Sequence, residues 1–264
     1  MNFKNLNYFF QIFFQRKQNK IQIDSEKQLE KLWDEYCERG YDYVFSAKYL
    51  KIFSTELESI LLPQPNGIVL DGGCGTGRMF KPILVKIKPR KIIAVDFSNS
   101  MLKKAKERMR ELVRSGICSE DAFEFHKRSL TQPFPFANNF FDIEIFNLVI
   151  CYLFPREWKK VLQEANRTLK TGGYIYFTTF LKGWDFRKIM QKRVFHVLLS
   201  CFSMIKAFPA IESINKINNL VKGGVIEYPE KGEIAKELKK MGFIEIETIK
   251  IFWDGGEIIR AKKC

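Results

Sequence analysis

One segment, Val69-Leu70-Asp71-Gly72-Gly73-Cys74-Gly75-Thr76-Gly77-Arg78, limits the fold more than any other part of the sequence. The apolar run Ile68-Val69-Leu70 before it reads as a short buried strand. The strand ends in an acid and a glycine cluster, and a helical pattern follows. Glycine has no Cβ, so the chain can turn sharply there and bring its backbone against a ligand. The spacing is Asp71-x-Gly73-x-Gly75-x-Gly77. A nicotinamide-dinucleotide loop needs glycine three positions after Gly75, and Arg78 stands there.

From this strand onward apolar runs alternate with helical periodicity. Strands are predicted over 68–70, 91–95, 123–127, 141–148 and 174–180, with helices over 77–88, 98–113 and 155–169 between them. The last of these helices is expected to stop at Lys170-Thr171-Gly172-Gly173, a basic turn followed by glycine. Residues 183–228 break the rhythm as a helical insertion, apolar around Val194 to Ile211. A helix over 230–241, a strand over 243–252, the turn Asp254-Gly255-Gly256 and a strand from Glu257 complete the pattern. That turn makes the last two strands an antiparallel hairpin. The whole predicts an α/β fold, a doubly wound and mostly parallel sheet covered on both faces.

Ahead of the sheet lie three helical stretches. Phe3, Leu6, Phe10 and Phe13 form an apolar stripe, a second stretch runs from Ser25 to Gly40 with Ser25 as its cap, and a third covers 43–61. The predicted division is therefore a helical cap, 1–62, and an α/β domain, 63–264, that carries the insertion.

The next strand ends in Ile92-Ile93-Ala94-Val95-Asp96-Phe97-Ser98, 25 residues after Asp71. A carboxylate at that point can accept hydrogen bonds from both ribose hydroxyls of a nucleoside. The glycine segment resembles motif I of the Rossmann-like (class I) S-adenosylmethionine-dependent methyltransferases. Asp96-Phe97-Ser98-x-x-Met101-Leu102-x-x-Ala105 is similar to their second motif. Gln132-Pro133-Phe134-Pro135-Phe136 with Phe141-Asp142, and Glu164-x-x-Arg167-x-Leu169-Lys170-x-Gly172-Gly173, resemble two further stretches. The likeness spans about residues 65 to 181 and the terminal hairpin, and is nearest the ubiquinone/menaquinone-biosynthesis type.

This resemblance implies a seven-stranded sheet with the last strand antiparallel, and S-adenosylmethionine as cofactor. It implies cofactor contacts from Asp71, Gly72, Gly73, Cys74, Gly75 and Gly77, and from Asp96, Phe97 and Met101. Near Ser129 the family usually has an aspartate for the adenine amino group. Here either Ser129 or the Leu130 backbone would serve. Asn147 follows the fourth strand, where donor and acceptor meet in this fold.

Methyl transfer is an in-line displacement at an electrophilic carbon, so alignment and exclusion of water are required rather than a catalytic triad. The two histidines are His126, expected to pack on the third strand, and His196 in the insertion, the candidate general base for an oxygen acceptor. Six cysteines without a C-x-x-C pair give no zinc pattern, and no metal is expected. No cleavable leader is recognised, which predicts a reducing, cytoplasmic compartment. The formal charge of +14 favours anionic partners or reflects a lysine-rich solvated surface.

Nucleic acid is disfavoured as the acceptor. The stretch Asn147-Leu148-Val149-Ile150 does not match the N/D-P-P-Y sequence of amino-methylating relatives, and there is no Pro-Cys pair. The expected acceptor is a small apolar, aromatic or lipid-like molecule. The Phe-rich stripe either covers the sheet or touches a membrane surface. The alternatives are methylation of RNA or protein, or a silent cofactor-binding module.

Overall fold

The computed structural model describes residues 23, 25–42, 51–184, 216–217, 219–251 and 254–264. The stripe from Phe3 to Phe14, the stretch from Val194 to Ile211 and His196 lie outside them.

Among the described residues, two helices precede the sheet, α1 (Glu26–Glu38) and α2 (Lys51–Ile60). Strand β1 (Ile68–Gly72) leads through the glycine turn into α3 (Phe80–Lys86). Strand β2 (Lys91–Asp96) leads into α4 (Asn99–Arg114), and β3 (Phe123–Lys127) into β4 (Phe141–Asn147). Then come α5 (Glu157–Thr168), β5 (Leu169–Phe180), α6 (Glu233–Lys240), β6 (Phe243–Ile251) and β7 (Gly256–Lys263).

The seven strands form one sheet in the order β3-β2-β1-β4-β5-β7-β6. The pairs β1–β2, β2–β3, β1–β4 and β4–β5 are parallel, and β7 is antiparallel to both β5 and β6. This is the predicted doubly wound sheet with an antiparallel last strand. Because strand side chains alternate in direction, Val69, Ile92 and Ala94 enter one core layer while Leu70, Ile93 and Val95 enter the other. The first layer is covered by α1, α2, α3 and α4, through residues such as Trp33, Phe53, Phe80 and Met101. The second is covered by α5 and α6, through Trp158, Leu162, Ile234 and Leu238. Burial of these faces on both sides is the main term that holds the layers together.

Two local expectations are corrected. The first α/β helix begins at Phe80 rather than Gly77, because Gly77 sits at φ +74° and a Cβ there would lie 2.4 Å from the Phe80 ring. The stretch expected as a glycine stop after α5 is already strand. Leu169 pairs with Phe141, and the register shifts before Tyr174 pairs with Ile143. A Cβ on Gly173 would lie 2.8 Å from the Asp142 carbonyl oxygen, so glycine permits this close crossing of two strands.

Candidate functional site

The strand order reverses between β1 and β4, which opens a crevice at the carboxyl ends of the parallel strands. A cavity of about 760 Å³ fills it. The turn after β1 contributes Gly73 and Gly75, the end of β2 contributes Asp96 and Phe97, and α4 contributes Met101. Ser129 and Leu130 follow β3, and Asn147 ends β4. A second cavity of about 450 Å³ lies beside the glycine turn, with Asp71, Cys74, Thr76 and Arg78 in its wall. Gly73, Gly75, Tyr41, Asn147 and Leu148 border both.

Of the cofactor contacts that the resemblance implies, Gly72 and Gly77 alone border neither cavity. Packing explains them. A Cβ on Gly72 would lie 2.4 Å from the Phe146 ring, and Gly77 faces Phe80 at the same distance. Gly73 and Gly75 have φ of +71° and +52°, the left-handed region that favours glycine. The turn is tied to β2 by the Gly73 and Cys74 N–H groups, which donate to the Val95 carbonyl at 2.7 and 3.0 Å.

Asp96 is buried. Its Oδ2 accepts the Gly75 N–H at 2.9 Å and its Oδ1 the Ser98 N–H at 2.9 Å. Burial pushes its carboxyl up to about 6, against the lowering effect of those N–H donors. Asp71 is buried more completely, and its Oδ2 has no hydrogen-bond partner. Burial, then the neighbouring Asp96 charge, pushes the Asp71 carboxyl up to about 7. Two carboxyls that face an aqueous crevice and resist ionisation are suited to a ligand carrying positive charge and hydroxyl donors.

After β4 the chain turns through Leu148 at φ +55°, an unusual conformation for a bulky residue. Thr178 fixes this turn, since its Oγ1 donates to Asn147 Oδ1 at 2.6 Å and accepts the Leu148 N–H at 2.8 Å. Around the turn stands an aromatic wall. The Trp33 and Tyr152 ring centroids are 4.9 Å apart, those of Trp33 and Tyr41 6.3 Å, and Phe154 borders the same cavity.

The sequence places the α1 residues in the helical stretch from Ser25 to Gly40, and nothing there connected them to the site. Glu26, Leu29 and Trp33 all border the larger cavity. Their spacing of three and four puts them on one helix face, and that signal was available. Ser25 occupies the N-cap position, but its side chain makes no capping hydrogen bond. His126 borders neither cavity. Its Nε2 lies 2.6 Å from Glu124 Oε1 and its ring packs against Phe136. Burial pushes the Cys74 thiol upward and that of Cys151 to about 12, so neither is an activated thiolate. No helix among the described residues is long and apolar enough to cross a membrane.

Residues 69–173 match the family described as a methyltransferase domain. The chain is 28% identical over 231 residues to the uncharacterised protein MJ1123 of Methanocaldococcus jannaschii, a match covering 83% of this chain and 99% of that protein. It is 28% identical over 162 residues to a malonyl-[acyl-carrier protein] O-methyltransferase of a Marinomonas species (61% of this chain, 54% of the relative). It is 26% identical over 157 residues to the tRNA N(3)-methylcytidine methyltransferase of Schizosaccharomyces pombe (57% and 49%). Each of these last two matches spans about half the length of the relative. Among solved structures, the Haemonchus contortus phosphoethanolamine N-methyltransferase 2, in complex with phosphomonomethylethanolamine and S-adenosylhomocysteine, superposes with a TM-score of 0.60. It is 15% identical, and the match covers 88% of this chain and 60% of that one. Residues 69–173 therefore form a methyltransferase domain, on a fold shared with solved S-adenosylmethionine-dependent methyltransferases.

Proposed function

We propose that this enzyme transfers a methyl group from S-adenosylmethionine to a small aromatic or apolar acceptor, bound against the aromatic wall. The observation that carries this reading is that the wall and Asp96 belong to one continuous cavity of about 760 Å³. The finer acceptor classes, quinone, phenol or lipid-like, share a flat or extended apolar body that such a wall favours.

The residues suit the cofactor. The orphaned Oδ2 of buried Asp71 is an acceptor for the α-ammonium group, and Arg78 in the same cavity wall is a counter-charge for the carboxylate. Each oxygen of Asp96 keeps a lone pair for a ribose hydroxyl after accepting its backbone N–H. Phe97, Met101 and Leu130 offer apolar surface to the base, and Gly73 and Gly75 let the backbone approach. Gly72 and Gly77 support that turn from behind. Residues 1–62 act in this reading as a cap, through α1 and α2.

When bound, the cofactor supplies an electrophilic methyl group on a sulfonium centre. The turn Asn147–Leu148, held by Thr178, orients the reacting partners. Trp33, Tyr41, Tyr152 and Phe154 exclude water and seat the acceptor. His196, proposed from the sequence as a base for an oxygen acceptor, lies outside the described residues.

The test is transfer of labelled methyl to a panel of quinones, phenols and lipid amines, beside total tRNA. Incorporation into an aromatic small molecule is expected, with Tyr152→Ala losing transfer while keeping affinity for S-adenosylhomocysteine. Labelling of RNA alone would overturn this reading and give the +14 charge its role instead.

A further inference from the structure

Along the sheet edge the larger cavity runs from Asn147 on β4, past the glycine turn and Asp96, to Ser129 and Thr131 beyond β3. With the ribose on Asp96, the base lies toward the β3 end. Its walls there include the side chains of Phe97, Met101 and Leu130, which are apolar and do not read the hydrogen-bonding edge of a base.

One carboxylate reaches this end from outside the sheet. Glu26, in the first turn of α1, borders the cavity beside Ser129 and Thr131. Its Oε1 accepts a hydrogen bond from Ser129 Oγ at 2.7 Å and another from the Thr131 hydroxyl. The Thr131 N–H donates to Ser129 Oγ at 3.2 Å, which fixes the serine hydroxyl toward Glu26. Both hydroxyls are thus committed to one oxygen of Glu26. The other oxygen, Oε2, has neither a hydrogen bond nor an ion pair among the described residues.

Glu26 is half-buried, so a ligand that fills the cavity and displaces solvent from Oε2 has to supply a donor in its place. The ring nitrogens of an adenine nucleoside only accept, so its base presents a single polar donor, the exocyclic 6-amino group. We propose that Glu26 Oε2 accepts a hydrogen bond from that amino group, with Ser129 and Thr131 as positioning residues. Helix α1 is then part of the cofactor site, 103 positions before the serine that holds it. The inference rests on the cofactor reading given above.

The experiment is calorimetric titration of the full chain with S-adenosylhomocysteine and with its analogue bearing hydrogen in place of the 6-amino group. The wild type is expected to bind the parent ligand about tenfold or more tightly than the analogue. Glu26→Ala should bind the two alike, by losing affinity for the parent only. Glu26→Met, which keeps the side-chain length and helix propensity, should do the same and so separates recognition from packing. A wild type that binds the parent yet does not discriminate, or a Glu26→Met protein that discriminates as the wild type does, would overturn the proposal and leave the cofactor site standing. A wild type that binds neither ligand would overturn both.

Discussion

The Gly75 N–H donates to Asp96 Oδ2 at 2.9 Å, so the turn that ends β1 is fastened to the carboxylate that ends β2. The other oxygen takes the Ser98 N–H, at the start of α4. One side chain thereby sets the positions of two loops that border the cavity. Asp96→Asn must point its amide NH₂ at one of these N–H donors, a repulsive contact in a buried site. It also offers the ribose fewer acceptors. Affinity for S-adenosylhomocysteine should fall about a hundredfold or more in titration calorimetry, which corresponds to roughly 3 kcal/mol. Unchanged affinity would remove Asp96 from the site.

Asp71 makes a prediction about stability and pH. Its carboxyl is raised to about 7 in the folded chain, chiefly by burial. Below the ordinary carboxylate range both folded and unfolded chains are protonated and nothing is lost. As pH rises from there to about 7, the unfolded chain ionises first, so stability falls. Above about 7 the full cost of the buried charge remains. Asp96, raised to about 6, acts in the same direction over a narrower window. Asp71→Asn should therefore make the ligand-free protein more stable than the wild type by about 2 kcal/mol near pH 8, and by little near pH 4. It should also weaken binding of S-adenosylmethionine, whose α-ammonium group loses its counter-charge. Denaturant unfolding at the two pH values checks the first claim, and equal differences at both would refute it.

How far the sequence foretold these features depended on the distance between the interacting residues. The turn after β1 and the acid after β2 are recognisable because their chemistry is local, an apolar strand running into glycines or a carboxylate at the end of the next strand. The start of β5 is different. Lys170-Thr171-Gly172-Gly173 has the pattern of a helix stop, and the pairing of Leu169 with Phe141 is set by tertiary contact. Glu26 is the strongest case. Its place on a helix face was legible, but its meaning depends on Ser129 and Thr131, more than a hundred positions away.

The docking of α1 yields the last prediction. Asp34 Oδ1 accepts the Ser98 hydroxyl and, at 3.0 Å, the Ser100 N–H. Ser98 is itself the N-cap of α4, where its Oγ accepts the Met101 N–H at 3.1 Å. A carboxylate on one helix thus satisfies donors at the positive end of another, an arrangement worth about 1 to 2 kcal/mol. Asp34→Ala should lower unfolding free energy by about that amount. Asp34 does not border the cavity, whereas Leu29 and Trp33 on the same helix do. If α1 must be docked for cofactor binding, the variant should also bind S-adenosylhomocysteine several-fold more weakly, with excess ligand restoring its melting temperature toward that of the wild type. Lower stability with unchanged affinity would mean that the apolar contacts of Leu29 and Trp33 hold the helix over the site without help from the α4 cap.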